Sequence, residues 1–102
     1  IGQHFPPSDN AWAGADSVGL ITRTVAMLQE HGYGVGNVDA VIVAERPRLR
    51  PYIARMEERL AAVLGVDAGA VNVKATTAEQ MGALGRAEGI QAQAIVRIVA
   101  NR

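Results

Sequence analysis

No cysteine occurs among the 102 residues, which excludes a disulfide framework and any thiolate metal site. Charge of one sign is also lacking. Ten basic and ten acidic side chains cancel, so no overall field draws the chain toward nucleic acid or an anionic membrane surface. Aromatic residues are few, only Phe5, Trp12, Tyr33 and Tyr52, too few for a base-stacking platform. No apolar run approaches the roughly 20 residues that a membrane span needs. The opening "IGQHFPPSDN" has neither the basic start nor the apolar core of a secretory signal. It also lacks an initiator methionine and reads as the continuation of something longer. These absences describe a cytosolic protein with no nucleic-acid or membrane partner.

What is present is the material of one modest domain. Residues 1–13 read as loop, with two prolines, Ser8, Asp9 and Asn10 crowded together. Asp16 or Ser17 can cap a helix carrying Val18, Ile21, Val25 and Leu28 at helical spacing. The glycines of "HGYGVGN" end it. "VDAVIVAER" predicts a β-branched strand buried on both faces, stopped by Pro47 and Pro51. A second helix follows over 51–65, with Ile53, Met56, Leu60 and Val63 as its stripe and Gly65 as its stop. Arg55, Glu57 and Glu58 read as solvated charges on that helix. "AVNVKATT" is a second strand with Val71, Val73 and Ala75 on one face, "AEQMGAL" a short helical turn, and "GIQAQAIVRIVA" a closing strand. The order predicts an α/β (α+β) fold, with two helices on one face of a sheet. The other face then needs a partner, which predicts an oligomer.

Four clusters can carry chemistry, and each has an ordinary structural reading. "FPPSD" is either a ligand-gripping loop or a surface turn. "AERPRLRP" puts Arg46, Arg48 and Arg50 just past a strand end. Ligands gather at such ends in α/β sheets, and guanidinium forks match phosphate oxygens; the alternative is a solvated basic turn. "ATTAE" sets two hydroxyls and exposed backbone N–H groups beside Glu79, a combination suited to a phosphate and a bridging divalent cation. Equally, Thr76 or Thr77 caps a turn, as in a capping box. "GRAEG" sets Arg86 near Glu88, by default a structural ion pair. His4 and His31 have no ligand spacing. His31, at a helix end, complements the helix dipole. No P-loop and no dinucleotide-binding glycine pattern is present.

The succession of motifs is more specific than any one of them. "GADS", "HGYGVGNVD", "AERPRL", "VNVKATT", "GRAEGI" and "AQAIV" follow one another along the whole chain. In that order they resemble the 2-C-methyl-D-erythritol 2,4-cyclodiphosphate synthases of non-mevalonate isoprenoid biosynthesis, over the C-terminal two-thirds of the family chain. The resemblance implies a mixed sheet with helices on one face, sheets packed around a threefold axis in a homotrimer, and active sites shared between subunits. It implies a phosphorus–oxygen lyase that cyclises 4-diphosphocytidyl-2-C-methyl-D-erythritol 2-phosphate with release of CMP, in a bacterial cytoplasm or plastid stroma. The alternative is a truncated, non-catalytic module that trimerises or binds CDP.

Carried over residue by residue, the resemblance assigns Ala44, Arg46, Arg48, Leu49 and Arg50 to the segment around the cytosine and its phosphates. Ala75, Thr76 and Thr77 match the turn that receives the CDP phosphates, with Thr77 the hydroxyl that steadies the transition state. Glu79 matches the carboxylate of a second divalent ion, magnesium or manganese. Gly2 matches a ribose contact, and Phe5, Ser8 and Asp9 match the loop over the methylerythritol phosphate. Arg86 matches a substrate-side or trimer-core basic residue. Arg86 and Glu88 stand where some relatives line an axial cavity that holds an isoprenoid diphosphate. The chain departs from the pattern at Pro7 (Asp), Ser8 and Ala78 (Thr), Ala83 (Phe) and Ala87 (Gly). The family's zinc ligands belong to an N-terminal third that the 102 residues do not include.

Overall fold

The computed structural model describes residues 16–101. Helix α1 spans Ser17–Glu30, and Asp16 is its cap, the carboxylate accepting the Val18 N–H at 3.2 Å. Val25 is the buried member of the expected stripe, with Val18, Ile21 and Leu28 half-buried beside it. Strand β1 covers Tyr33–Val43. It therefore begins inside the glycine-rich segment expected to be loop. Gly34 and Gly36 continue into the strand because only Gly32 adopts a positive φ, 84°.

A 3₁₀ turn at Arg50–Tyr52 with Pro51 inside it leads into α2, Ile53–Leu64. Gly65 closes α2 at φ 75°, donating its N–H to Ala61 at 2.9 Å; a left-handed stop of this kind favours glycine. A second 3₁₀ turn, Ala68–Ala70, precedes β2, Val71–Thr76. The short α3, Gly82–Gly85, starts later than the helical turn expected at 78–84, and β3 runs Gln91–Ala100.

The three strands form one mixed sheet in the order β2-β1-β3. β1 is parallel to β2, with Val38 opposite Val71 and Val43 opposite Thr76. It is antiparallel to β3, with Val38 opposite Val96, and the register shifts between Val35 and Asn37. Because side chains alternate along a strand, this register puts Val38, Ala40, Val71, Val73, Ala94 and Val96 on one face. Val38, Val71, Val73 and Ala61 of α2 are the buried centre, flanked by Ile42, Ile53, Met56 and Leu60. Burying one such side chain contributes about 1.5–3 kcal/mol.

Glu57 corrects the expectation of a purely solvated helix face. It is half-buried, and its Oε2 accepts the Val73 N–H at 2.9 Å, stitching α2 to the outer edge of β2.

The helices cover the β1–β2 part of one face only. Between α1, α2 and β3 lies an apolar trough of about 430 Å³, walled by Val18, Ile21, Met56, Leu60, Ala92 and Ala94. No described residue covers the opposite face. There Lys74 and Asp39 pair at 2.9 Å, Asn72 donates to Asp39, Arg97 donates to Asn37 at 2.8 Å, and Ile95 stands 78% exposed. No helix among the described residues is long and apolar enough to cross a membrane.

Candidate phosphate-binding site

β1 and β2 end side by side, and both chains leave the sheet at their carboxyl ends. This is where open α/β sheets take up ligands. The link continues one step past β1, where the Ala44 N–H donates to Thr76 O, at the end of β2, at 3.0 Å. A cleft of about 180 Å³ opens between the segments, lined by Ala44, Glu45, Pro47, Arg48, Leu49, Arg50, Ala75, Thr76 and Thr77. Residues expected from two separate motifs thus meet in one place. Arg46, Glu79 and Arg86 do not line it. Gly2, Phe5, Ser8 and Asp9 lie outside the described residues.

The peptide bond between Arg46 and Pro47 is cis. Arg46, Arg48 and Arg50 are exposed, and among the described residues none pairs with a carboxylate. They are therefore positive charge available to an anion. On the other wall Thr77 Oγ1 accepts the Glu79 N–H at 3.1 Å. That is a hydroxyl-capped turn two residues long, not the helical capping box. Since the oxygen is used as an acceptor, the hydroxyl hydrogen remains free to donate to a phosphate oxygen.

The turn amides are engaged internally. Ala78 N–H donates to Glu45 Oε2 at 3.3 Å, Gln80 N–H to Glu45 Oε1 at 3.0 Å, and Met81 N–H to Ala78 O at 3.0 Å. Within the "ATTAE" stretch, where exposed N–H groups are expected, those of Ala78 and Glu79 are therefore already taken, by Glu45 and by Thr77 Oγ1. An anion here meets guanidinium groups and hydroxyls. Glu45 is the residue that sequence reasoning overlooked. The only available signal was a lone carboxylate inside an arginine-rich run, and its partners lie 33 and 35 positions away.

Glu79 adopts φ 53° and is exposed, and its carboxylate makes no ion pair among the described residues. A single carboxylate next to a cleft lined by arginines and threonines fits magnesium or manganese, which bind through one or two carboxylates and a substrate's phosphates. Zinc finds no fit. The described residues contain no group of three or more His, Cys, Asp or Glu able to hold a metal, and His31 Nδ1 lies 2.8 Å from Met27 O. Arg86 pairs with Glu88 through Nε–Oε1 at 3.0 Å and Nη2–Oε2 at 3.2 Å, the expected ion pair.

The bifunctional IspDF from Campylobacter jejuni shares this architecture, with a TM-score of 0.89 and 32% identity over 96% of this chain and 27% of its own. Curated 2-C-methyl-D-erythritol 2,4-cyclodiphosphate synthases are closely similar in sequence. That of Thermosynechococcus vestitus is 54% identical over 93% of this chain, and that of Symbiobacterium thermophilum 55% identical over 96%. The chain spans 59% and 62% of the length of those two relatives. The model of the YgbB family matches residues 1–99. With the strand-end cleft, the fold and the sequence in agreement, the chain belongs to the YgbB family.

Proposed function

We propose that the protein to which this chain belongs is a 2-C-methyl-D-erythritol 2,4-cyclodiphosphate synthase acting in isoprenoid biosynthesis, and that these 102 residues supply the cytidine-diphosphate half of its site as a single domain. An oxygen of the substrate's 2-phosphate bonds to the β-phosphorus, the bond from that phosphorus to the CMP oxygen breaks, and CMP leaves with the electron pair. No side chain need bond covalently to the substrate, so positioning and charge neutralisation carry the rate. The observation that carries the reading is the convergence of Arg48 and Arg50 with Thr76 and Thr77 at two adjacent strand ends.

In this reading the 44–50 segment, including Arg46 and Leu49, encloses the cytosine and its phosphates. The Thr77 hydroxyl donates to the oxygens on which charge develops. Glu79 holds a magnesium or manganese ion, whose contribution is neutralisation of the diphosphate. Gly2, Phe5, Ser8 and Asp9 contact the ribose and the methylerythritol phosphate. The bare sheet face packs around a threefold axis in a homotrimer, with Arg86 and Glu88 near the axis, where they can receive an isoprenoid diphosphate. Zinc, where bound, is held by residues other than those described.

The test is CMP release by the protein at its natural length, followed by ³¹P NMR. Thr77→Ala is expected to lower kcat about 10²-fold, the scale for loss of one transition-state donor. Glu79→Gln is expected to raise the magnesium requirement with the fold intact. Normal turnover at low magnesium in Glu79→Gln would remove the metal role, and a stable monomer in solution would remove the shared site.

A further inference from the structure

Glu45 sits among three arginines and pairs with none of them among the described residues. Both of its oxygens instead accept backbone N–H groups across the cleft, from Ala78 and Gln80. The turn they hold is unfavourable by itself. Glu79 and Gln80 are consecutive non-glycine residues at φ 53° and 63°, a conformation that L-residues avoid unless surrounding contacts enforce it. Two charge-assisted hydrogen bonds are among the stronger contacts available for that purpose.

The turn is pinned from its other side by Gly85. A Cβ there would collide with the carbonyl carbon and Cα of Gln80. Turn and glycine are therefore in direct backbone contact. Between these supports stand Thr77, whose oxygen is fixed by the Glu79 N–H, and Glu79 itself. Directing the Glu45 carboxylate to amides also leaves the guanidiniums of Arg48 and Arg50 to the ligand.

We infer that Glu45 is a positioning residue. By fixing the 77–80 turn it sets the direction of the Glu79 carboxylate, and so the affinity of the site for its divalent ion. This rests on the reading of Glu79 as a metal ligand, and the experiment separates the two. Mn²⁺ binding is measured by paramagnetic resonance on the protein at its natural length, without turnover, as the component that depends on added CDP. Wild type is compared with Glu45→Gln, Glu45→Ala and Glu79→Gln. Glu45→Gln keeps the shape and one acceptor oxygen but turns an NH₂ toward the second amide.

The expected result is an Mn²⁺ affinity about tenfold weaker in Glu45→Gln, the scale of one hydrogen bond to a charged group, and weaker still in Glu45→Ala. Amide exchange at Ala78 and Gln80 should accelerate in both. In turnover the half-saturating Mn²⁺ should rise more than kcat falls at saturating metal. Should Glu45→Ala fail to fold, Glu45→Gln decides alone. Wild-type Mn²⁺ affinity in the Glu45 variants, whatever their melting temperature, together with weakened binding in Glu79→Gln, overturns the inference and leaves the metal reading standing. Wild-type affinity in Glu79→Gln overturns both.

Discussion

The two neighbours of β1 sit in different surroundings. On one side β2 is short, parallel and roofed by α2. Its Val71 and Val73 are 3% and 6% exposed, and even its outer edge is engaged by Glu57. On the other side β3 is long and antiparallel, and nearly every residue of it is exposed, including Ile95 at 78%, Val96 at 46% and Ile98 at 47%. Both strands have apolar sequences. The difference lies in whether these residues themselves supply the cover. The β2 side is stabilised from within, whereas β3 is held mainly by its ladder to β1.

Substitution by aspartate separates the two sides most sharply. Val71→Asp puts an unpaired carboxylate into the core, and we expect a loss of more than about 4 kcal/mol, enough to abolish cooperative unfolding in urea. Ile95→Asp is expected to change the stability of a lone subunit by less than about 0.5 kcal/mol, as for other exposed sites. In the trimer proposed above, the same substitution faces the threefold packing. Sedimentation should then show the mass of one subunit in place of three. A trimer that survives Ile95→Asp would mean that the bare face is not the packing surface.

Much of this was legible in sequence because it depends on local pattern. The stripe of α1, the alternation of β2 and the stop at Gly65 each follow from spacing and backbone preference, and each is found. The strand start at Tyr33 was not legible. Glycine signals a turn by default, and only pairing with β3, from Tyr33 opposite Ala100 onward, draws Gly34 into the ladder and leaves Gly36 at the register shift between Val35 and Asn37. Glu45 and Glu57 were not legible for a related reason. A carboxylate that accepts a distant amide leaves no periodic trace, because its partner is 33, 35 or 16 positions away. The arginine and threonine motifs could be recognised singly. That they share a cleft follows from the parallel pairing of β1 and β2, which neither motif encodes.

Glu57 permits a smaller test of the covered side. Removing it by Glu57→Ala leaves the Val73 N–H without its acceptor at a half-buried edge, and about 2 kcal/mol should be lost, the scale of a hydrogen bond to a charged group. Glu57→Gln, which keeps an acceptor oxygen, should lose less than half as much. Chemical denaturation reads both. Equal losses would mean that the charge, and not the bond to the strand edge, stabilises the region.

The smallest expected effect lies in the connection between the two regions. After α3 the Ala87 N–H donates to Leu84 O at 3.1 Å and the Glu88 N–H to Ala83 O at 3.0 Å. Ala87 itself takes φ 59°. These are the paired bonds and the left-handed residue of a Schellman stop, a position that glycine ordinarily fills. The alanine methyl costs about 1–2 kcal/mol in that conformation. Glycine would return about 0.5–1 kcal/mol of this through the greater freedom of its unfolded chain. Ala87→Gly should therefore stabilise the protein by roughly 0.5–1 kcal/mol, read as a shifted denaturation midpoint with an unchanged slope. Since the strain is internal to residues 83–88, the gain should be the same whether or not β3 is covered by a partner. Measuring it in the Ile95→Asp background tests that independence, and a gain that disappears there would show that assembly, not the Schellman stop, fixes the backbone at Ala87.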